Sequence, residues 1–209
     1  MDIEYKGSNC VVISTKHTTI VVDPRLSLVG LKDYSGKYDV ELATQSEFAV
    51  RKEDSLVIEL PGEYEVGNLT IRGIAARRNI DTPEEGNKST IYKVESNGIS
   101  VGILGHIAGE LSEVQLEALG MLDVLIVPVG NNGYTLDAHG AVHVVRQSDP
   151  KIVIPTHYAD KELKYEVPQS ELEEFLKEIG GSHETVSKLK LKTGTLPETL
   201  KVYELTRTS

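Results

Sequence analysis

The chain has a single cysteine, Cys10, so it can form neither an internal disulfide nor a zinc cluster built on cysteines. No apolar run approaches the roughly 18 residues that a membrane-spanning helix needs, and no membrane span is expected. Basic residues never cluster beyond Arg77-Arg78, and the 209 residues carry a formal net charge of -10. Nucleic-acid binding relies on grouped Lys and Arg that displace counterions from phosphates, so no nucleic-acid partner is expected. The opening stretch MDIEYKGSNCVVIST has no basic segment leading into a long apolar one. No signal peptide is therefore expected, and a cytoplasmic location is. A P-loop is absent, GILGHIAG at 102–109 has the wrong spacing for a dinucleotide fingerprint, and no Gly-x-Ser-x-Gly elbow occurs. No repeat, low-complexity linker or shift of composition breaks the chain, which predicts one domain over 1–209.

What is present is β-rich early and α/β late. DIEYKG, CVVIST, TTIVVDP, DVELAT, LVIELPG, EYEVGNLTIRGIAA, TIYKVESNGISVGILG and DVLIVPVG read as short strands, with a tight turn at ESNG and a polar loop at TPEEGNKS, 82–89. LSEVQLEALG predicts a helix capped by Ser112 and stopped by Gly120, with Val114, Leu116 and Leu119 as its apolar positions. LDAHGAVHVVRQS predicts a second, with Asp137 as N-cap and Ala138, Ala141, Val142 and Val145 on one face. SELEEFLKEIGG predicts a third, striped by Leu172, Phe175, Leu176 and Ile179 and ended at Gly180. The second helix lies between the strand DVLIVPVG and KIVIPTHY, which makes a strand-helix-strand unit.

Chemistry in α/β sheets gathers at the carboxyl ends of strands. Three residues qualify: Asp23 after TIVV, His106 after SVGILG and His157 after KIVIPT. Each is open to a structural reading as a hydrogen-bonded polar group, and their convergence is what suggests a site. His139 and His143 have the i, i+4 spacing of a metal pair, but they sit well away from the centre of the apolar stripe and are expected to face solvent. His17 in a turn and His183 in a polar loop receive no role. Cys10, within a β-run, is expected to be a small buried hydrophobe.

Four linked segments carry a resemblance. IVVDP near 20, PGEYEVGNLTIRGI at 61–74, LGHIAGELSEVQLEALGMLDVLIVPVG at 104–130 and LDAHGAVHVVRQSDPKIVIPTHY at 136–158 together resemble the metallo-β-lactamase superfamily. The likeness is to its branch of metal-dependent hydrolases that includes the L-ascorbate-6-phosphate lactonases. It implies an α/β fold: a four-layer αβ/βα sandwich of two mixed β-sheets with helices outside and a site at one edge. The family's His-x-His-x-Asp-His loop falls on ELATQSEFAV. Gln45 and Glu47 occupy the first two histidine positions, Ala49 the aspartate and Val50 the last histidine. The next ligand position falls around AARRN, the bridging aspartate is replaced by His106, and His157 keeps the final histidine. Asp23 matches the strand-end aspartate that supports the histidine loop.

The resemblance therefore implies a pocket formed by Asp23, Gln45, Glu47, His106 and His157 that has lost most metal ligands. The expectation is a non-catalytic protein without a cofactor, binding a small molecule or a protein partner. The alternative is a hydrolase of small phosphorylated or lactone-type substrates, using one zinc or other divalent metal on Glu47, His106 and His157. Without metal, Gln45, Glu47, His106 and His157 are expected to hydrogen-bond one another, and Glu47 to raise the pKa of both imidazoles. One of Arg77 and Arg78 is expected to face inward at the rim as an anion site. Self-association into a homo-oligomer is compatible with the acidic surface.

Overall fold

The computed structural model of the protein describes residues 1–82 and 86–208. Short β-branched runs joined by tight turns become two facing sheets. The first, in the order β13-β1-β2-β3-β4-β5, contains β1 (Asp2–Gly7), β2 (Cys10–Ser14), β3 (Thr19–Val22), β4 (Val40–Leu42), β5 (Leu56–Ile58) and β13 (Leu189–Lys190). The second, in the order β12-β14-β11-β10-β9-β8-β7-β6, contains β6 (Gly62–Val66), β7 (Leu69–Thr82), β8 (Gly86–Ser96) and β9 (Ile99–Ile103). It continues with β10 (Val124–Pro128), β11 (Ile152–Thr156), β12 (Ser182–Val186) and β14 (Lys201–Leu205). Both sheets are mixed: β3, β4 and β5 run parallel, as do β9, β10, β11, β14 and β12, while the remaining pairs are antiparallel.

The continuous apolar runs VLIVP and IVIPT are explained by burial on two faces. Along β10 and β11, Val124, Ile126, Ile152 and Ile154 turn toward the facing sheet, where Ile13, Ile20, Val40 and Leu42 complete the core. Alternate residues Leu125, Val127 and Val153 turn outward, under the helices. Fully burying a side chain of this size is worth about 1.5–3 kcal/mol, so the strand pair anchors both layers.

Three helices cover the eight-stranded sheet. In α1 (Glu113–Leu119), the Ser112 hydroxyl accepts from the Gln115 N–H and Gln115 caps Ser112 in return; Gly120 ends the helix at φ 56°. In α2 (Ala138–Ser148), Asp137 caps the Gly140 N–H, and Ala141, Val142, Val144 and Val145 are buried. α3 (Leu172–Ile179) buries Leu172 and Phe175. This is the expected α/β sandwich, but its outermost layer on the other side is thin. There the six-stranded sheet is covered by a single 3-10 turn, Leu26–Val29, together with Tyr38 and Leu163, around Cys10, Val12 and Val21. None of the described helices is long and apolar enough to cross a membrane.

Three local expectations need correction. The polar loop expected at 82–89 is mostly strand: Ser89 pairs with Ala76 and Lys88 with Arg77, so cross-strand pairing overrides polarity. Its residues 83–85 lie outside the described residues. His183 lies in β12, paired with Val202, because β14 supplies a parallel partner that local sequence does not reveal. Val114 is 73% exposed, since a seven-residue helix reaches the sheet chiefly through Leu119. The ESNG turn forms as expected, with Asn97 and Gly98 both at positive φ between β8 and β9.

Candidate functional site

Parallel strands from both sheets end at one edge, and there the polar residues collect. Asp23 follows β3 directly and His157 follows β11 directly, each with positive φ (45° and 54°), a backbone state that Asp and His adopt more readily than most non-glycine residues and that turns the chain sharply at the strand end. His106 follows β9 by three residues, and Gln45 follows β4 by three. Close approach fixes two glycines nearby. A Cβ on Gly105 would stand 2.4 Å from Thr44 Cβ, and one on Gly130 would stand 2.0 Å from the His157 carbonyl oxygen.

Asp23 is buried and saturated with donors. Its Oδ1 accepts from the Thr44 N–H at 2.8 Å; its Oδ2 accepts from Thr44 Oγ1 at 2.7 Å and from Asn9 Nδ2 at 2.8 Å. Asn9 Oδ1 in turn accepts from Thr156 Oγ1 at 2.9 Å, so the network ties β4 to the end of β11. Asp23 thus anchors the loop that carries Gln45 and Glu47. Burial pushes its carboxyl up to about 6, although the three donors pull the other way.

The two imidazoles lie edge to face, with ring centroids 4.5 Å apart. Phe48 packs on His106 and Tyr165 on His157. Gln169 Nε2 donates to the Val167 carbonyl, so its Oε1 must accept from His157 Nδ1 at 3.1 Å, which places the His157 proton on Nδ1. Burial lowers the His157 pKa to about 4. His106 is held well below the usual histidine range by burial first, then by His157 and the Arg78 cation.

The expected raising of both imidazoles by Glu47 is therefore reversed. Burial is the first reason; in addition, Glu47 Oε1 accepts from Arg78 Nη2 at 2.6 Å, so its carboxylate serves the guanidinium. Arg78 is the buried member of this pair and Glu47 the half-exposed one (side chains 8% and 41% exposed). Arg77 faces out and Arg78 in, as strand alternation requires. The expected mutual network is also different. Gln45 Nε2 donates to the His106 carbonyl at 3.2 Å, while Gln45 Oε1 and His106 Nδ1 are buried without a partner among the described residues. Among the described residues, no three His, Cys, Asp or Glu side chains stand together as a group that could hold a metal ion.

Asp23, Gln45, Glu47, His106 and His157 all line one cavity of about 380 Å³. Sequence reasoning missed Asn9, Phe48, Tyr134, Tyr165 and Gln169, which also line it. Tyr165 and Gln169 come from a stretch without regular secondary structure, where no periodic signal marks them. Asn9 sits in the β1–β2 turn, where an asparagine ordinarily reads as turn chemistry. His139 and His143 stay on the surface of α2, against Glu178 and Glu110, apart from the site.

Comparison with known proteins agrees with this architecture. A family model described as a β-lactamase superfamily domain matches residues 2–157. A UPF0173 metal-dependent hydrolase from Listeria innocua is 28% identical over 196 residues, covering 76% of this chain and 85% of the relative. A Thermotoga maritima structure assigned to the Zn-dependent hydrolases of the metallo-β-lactamase superfamily superposes with a TM-score of 0.79, at 28% identity and 98% coverage of both chains. Igni18, a metallo hydrolase from Ignicoccus hospitalis, shares the fold with a TM-score of 0.61 at 18% identity, over 85% of this chain and 89% of its own. With two mixed sheets, polar residues at their common carboxyl edge and a family match over most of its length, the chain belongs to the metallo-β-lactamase superfamily.

Proposed function

We propose that the cavity binds a small molecule through hydrogen bonds and does not hydrolyse it with a metal-activated water. The observation that carries this reading is the Arg78–Glu47 ion pair beside His106. A catalytic zinc generally takes three protein ligands and keeps one position open for water. Here the carboxylate that would be the third ligand is bonded to a buried guanidinium, and that cation opposes the approach of another. Ala49 and Val50, at two further ligand positions, offer no lone pair. This donor set does not fit a dinuclear centre.

One observation favours a second reading. His106 and His157 are adjacent and neutral, as metal ligands must be, and His106 Nδ1 is unpartnered. A single divalent metal on these rings, with Glu47 swung away from Arg78, would make the chain a hydrolase of small phosphorylated or lactone-type substrates. The Listeria and Thermotoga relatives bear hydrolase descriptions. Metal analysis separates the readings. Protein purified without chelator, then incubated with excess zinc or manganese and desalted, is expected to retain far less than one equivalent. Stoichiometric metal that disappears in a His106→Ala, His157→Ala variant would establish the hydrolase reading instead.

A further inference from the structure

We infer that the cavity takes an uncharged ligand presenting at least two adjacent hydrogen-bond donors, as a sugar diol or an amino-heterocycle does. This inference rests on the metal-free reading above. The polar atoms at the cavity divide into those already bonded and those still open.

The acidic groups are occupied, and Arg25 Nη1 donates to the Glu47 carbonyl. Glu47 is paired with Arg78, Asp23 accepts from three donors, and Glu166 accepts from the Tyr134 hydroxyl. Among the neutral groups, Gln45 Oε1, His106 Nδ1 and the Tyr165 hydroxyl are buried with no partner among the described residues. A carbonyl can only accept, so the Gln45 amide is oriented by its Nε2 contact to the His106 carbonyl, and its Oε1 is left as an unpartnered buried acceptor. His157, with Nδ1–H committed to Gln169, leaves Nε2 as the acceptor of the neutral ring. His106 has a buried, unpartnered Nδ1, and a neutral imidazole holds one acceptor nitrogen in either tautomer.

An acceptor-rich floor selects donors. A carboxylate or phosphate would bring further acceptors against Gln45 Oε1 and His157 Nε2, leaving both without a donor. Hydroxyl or amino groups would satisfy them, and the imidazole N–H that His106 retains can return a hydrogen bond to a hydroxyl oxygen. The walls carry the apolar or aromatic side chains Leu26, Leu28, Val29, Phe48 and Tyr165 beside the charged Arg25, Glu47, Arg78 and Glu166. Such walls suit the flat face of a sugar or a heterocycle. The cavity of about 380 Å³ is at the small end for ligand sites, which limits the ligand to about one or two rings.

The test is ligand-observed NMR on the full chain, with three probe panels: monosaccharides and small polyols, aminopyrimidines and aminopurines, and inorganic phosphate with acetate. Saturation transfer to a member of either donor panel, with a shift of the His157 ring resonances in the unmodified protein, is the expected result. The panel that binds identifies the source of the donors. Gln45→Met should weaken that binding about tenfold, the loss of roughly one hydrogen bond. Binding of phosphate or acetate in preference to both donor panels would overturn the inference and leave the metal-free reading standing, as would failure of every donor probe at millimolar concentration. Stoichiometric zinc on His106 and His157 would overturn both.

Discussion

The Asp23 carboxyl offers a test of which force governs the site edge. Three donors face it, and each favours the charged form; burial opposes them and prevails, placing its folded value at about 6 against an ordinary 3.8. An acid whose folded pKa is raised holds its proton more tightly in the folded state. Between about pH 4 and pH 6 the folded chain therefore binds more protons than the unfolded one, and stability falls as pH rises through that window. At about 1.4 kcal/mol per pH unit, the gap is worth about 3 kcal/mol, present in full below pH 4 and lost above pH 6.

Replacing Asp23 by Asn removes the titration and keeps the side chain's size. Urea unfolding of both proteins from pH 3.5 to 8 gives the difference in unfolding free energy at each pH. Other titrating groups contribute to both proteins and cancel, and the altered hydrogen bonding of the variant adds only a constant. The difference, wild type minus variant, should fall by about 3 kcal/mol between pH 4 and pH 7 and then level off. A flat difference would refute the argument. A rise with pH would show that Thr44 and Asn9 outweigh burial.

His157 should behave in the opposite sense: an NMR titration is expected to find it neutral down to about pH 4, so its contribution is lost as pH falls from 6.5 toward 4. A midpoint at or above 6.5 would mean that the ring is solvated or faces a carboxylate. Gly105→Ala should cost about 1–3 kcal/mol and shift the Thr44 amide resonance, because its Cβ would collide with the side chain that holds Asp23. Unchanged stability would deny that close approach. Tyr92→Phe should cost about 1–3 kcal/mol by chemical denaturation, since the buried hydroxyl lies 2.8 Å from the Ala43 carbonyl and 2.9 Å from that of Ile58. A neutral substitution would mean that water replaces the hydroxyl there.

Much of the fold could be read from local pattern. Uninterrupted apolar runs marked the doubly covered strands, and the Ser112 and Asp137 caps marked helix starts, because both signals lie within a few residues of the element they define. What escaped was decided by distant partners. β12 exists because β14 lies beside it, and Asn87–Ser89 are strand because β7 faces them. The thin cover over the six-stranded sheet likewise depends on Tyr38 and Leu163, more than a hundred residues apart, joining one cluster around Cys10, Val12 and Val21.

The site divides along the same line. Strand ends placed Asp23, His106 and His157 at one edge, since the position of a residue after a strand is a local fact. Their charge states were not local. Glu47 resembles a partner for the imidazoles because it shares their cavity, yet burial outweighs it, and its carboxylate is bonded to Arg78. The Asp23–Thr44–Asn9 network that positions the loop is complete, while the cavity it supports holds, among the described residues, an unpaired acceptor at Gln45 and an unpartnered ring nitrogen at His106. Unsatisfied buried acceptors cost stability, of order 1–3 kcal/mol each. A scaffold that is fully bonded and a floor that is not are what a site ready for a donor-bearing ligand requires. Filling the floor should therefore raise the unfolding temperature without altering the pH profile set by Asp23. That separation of effects is open to the same denaturation measurements.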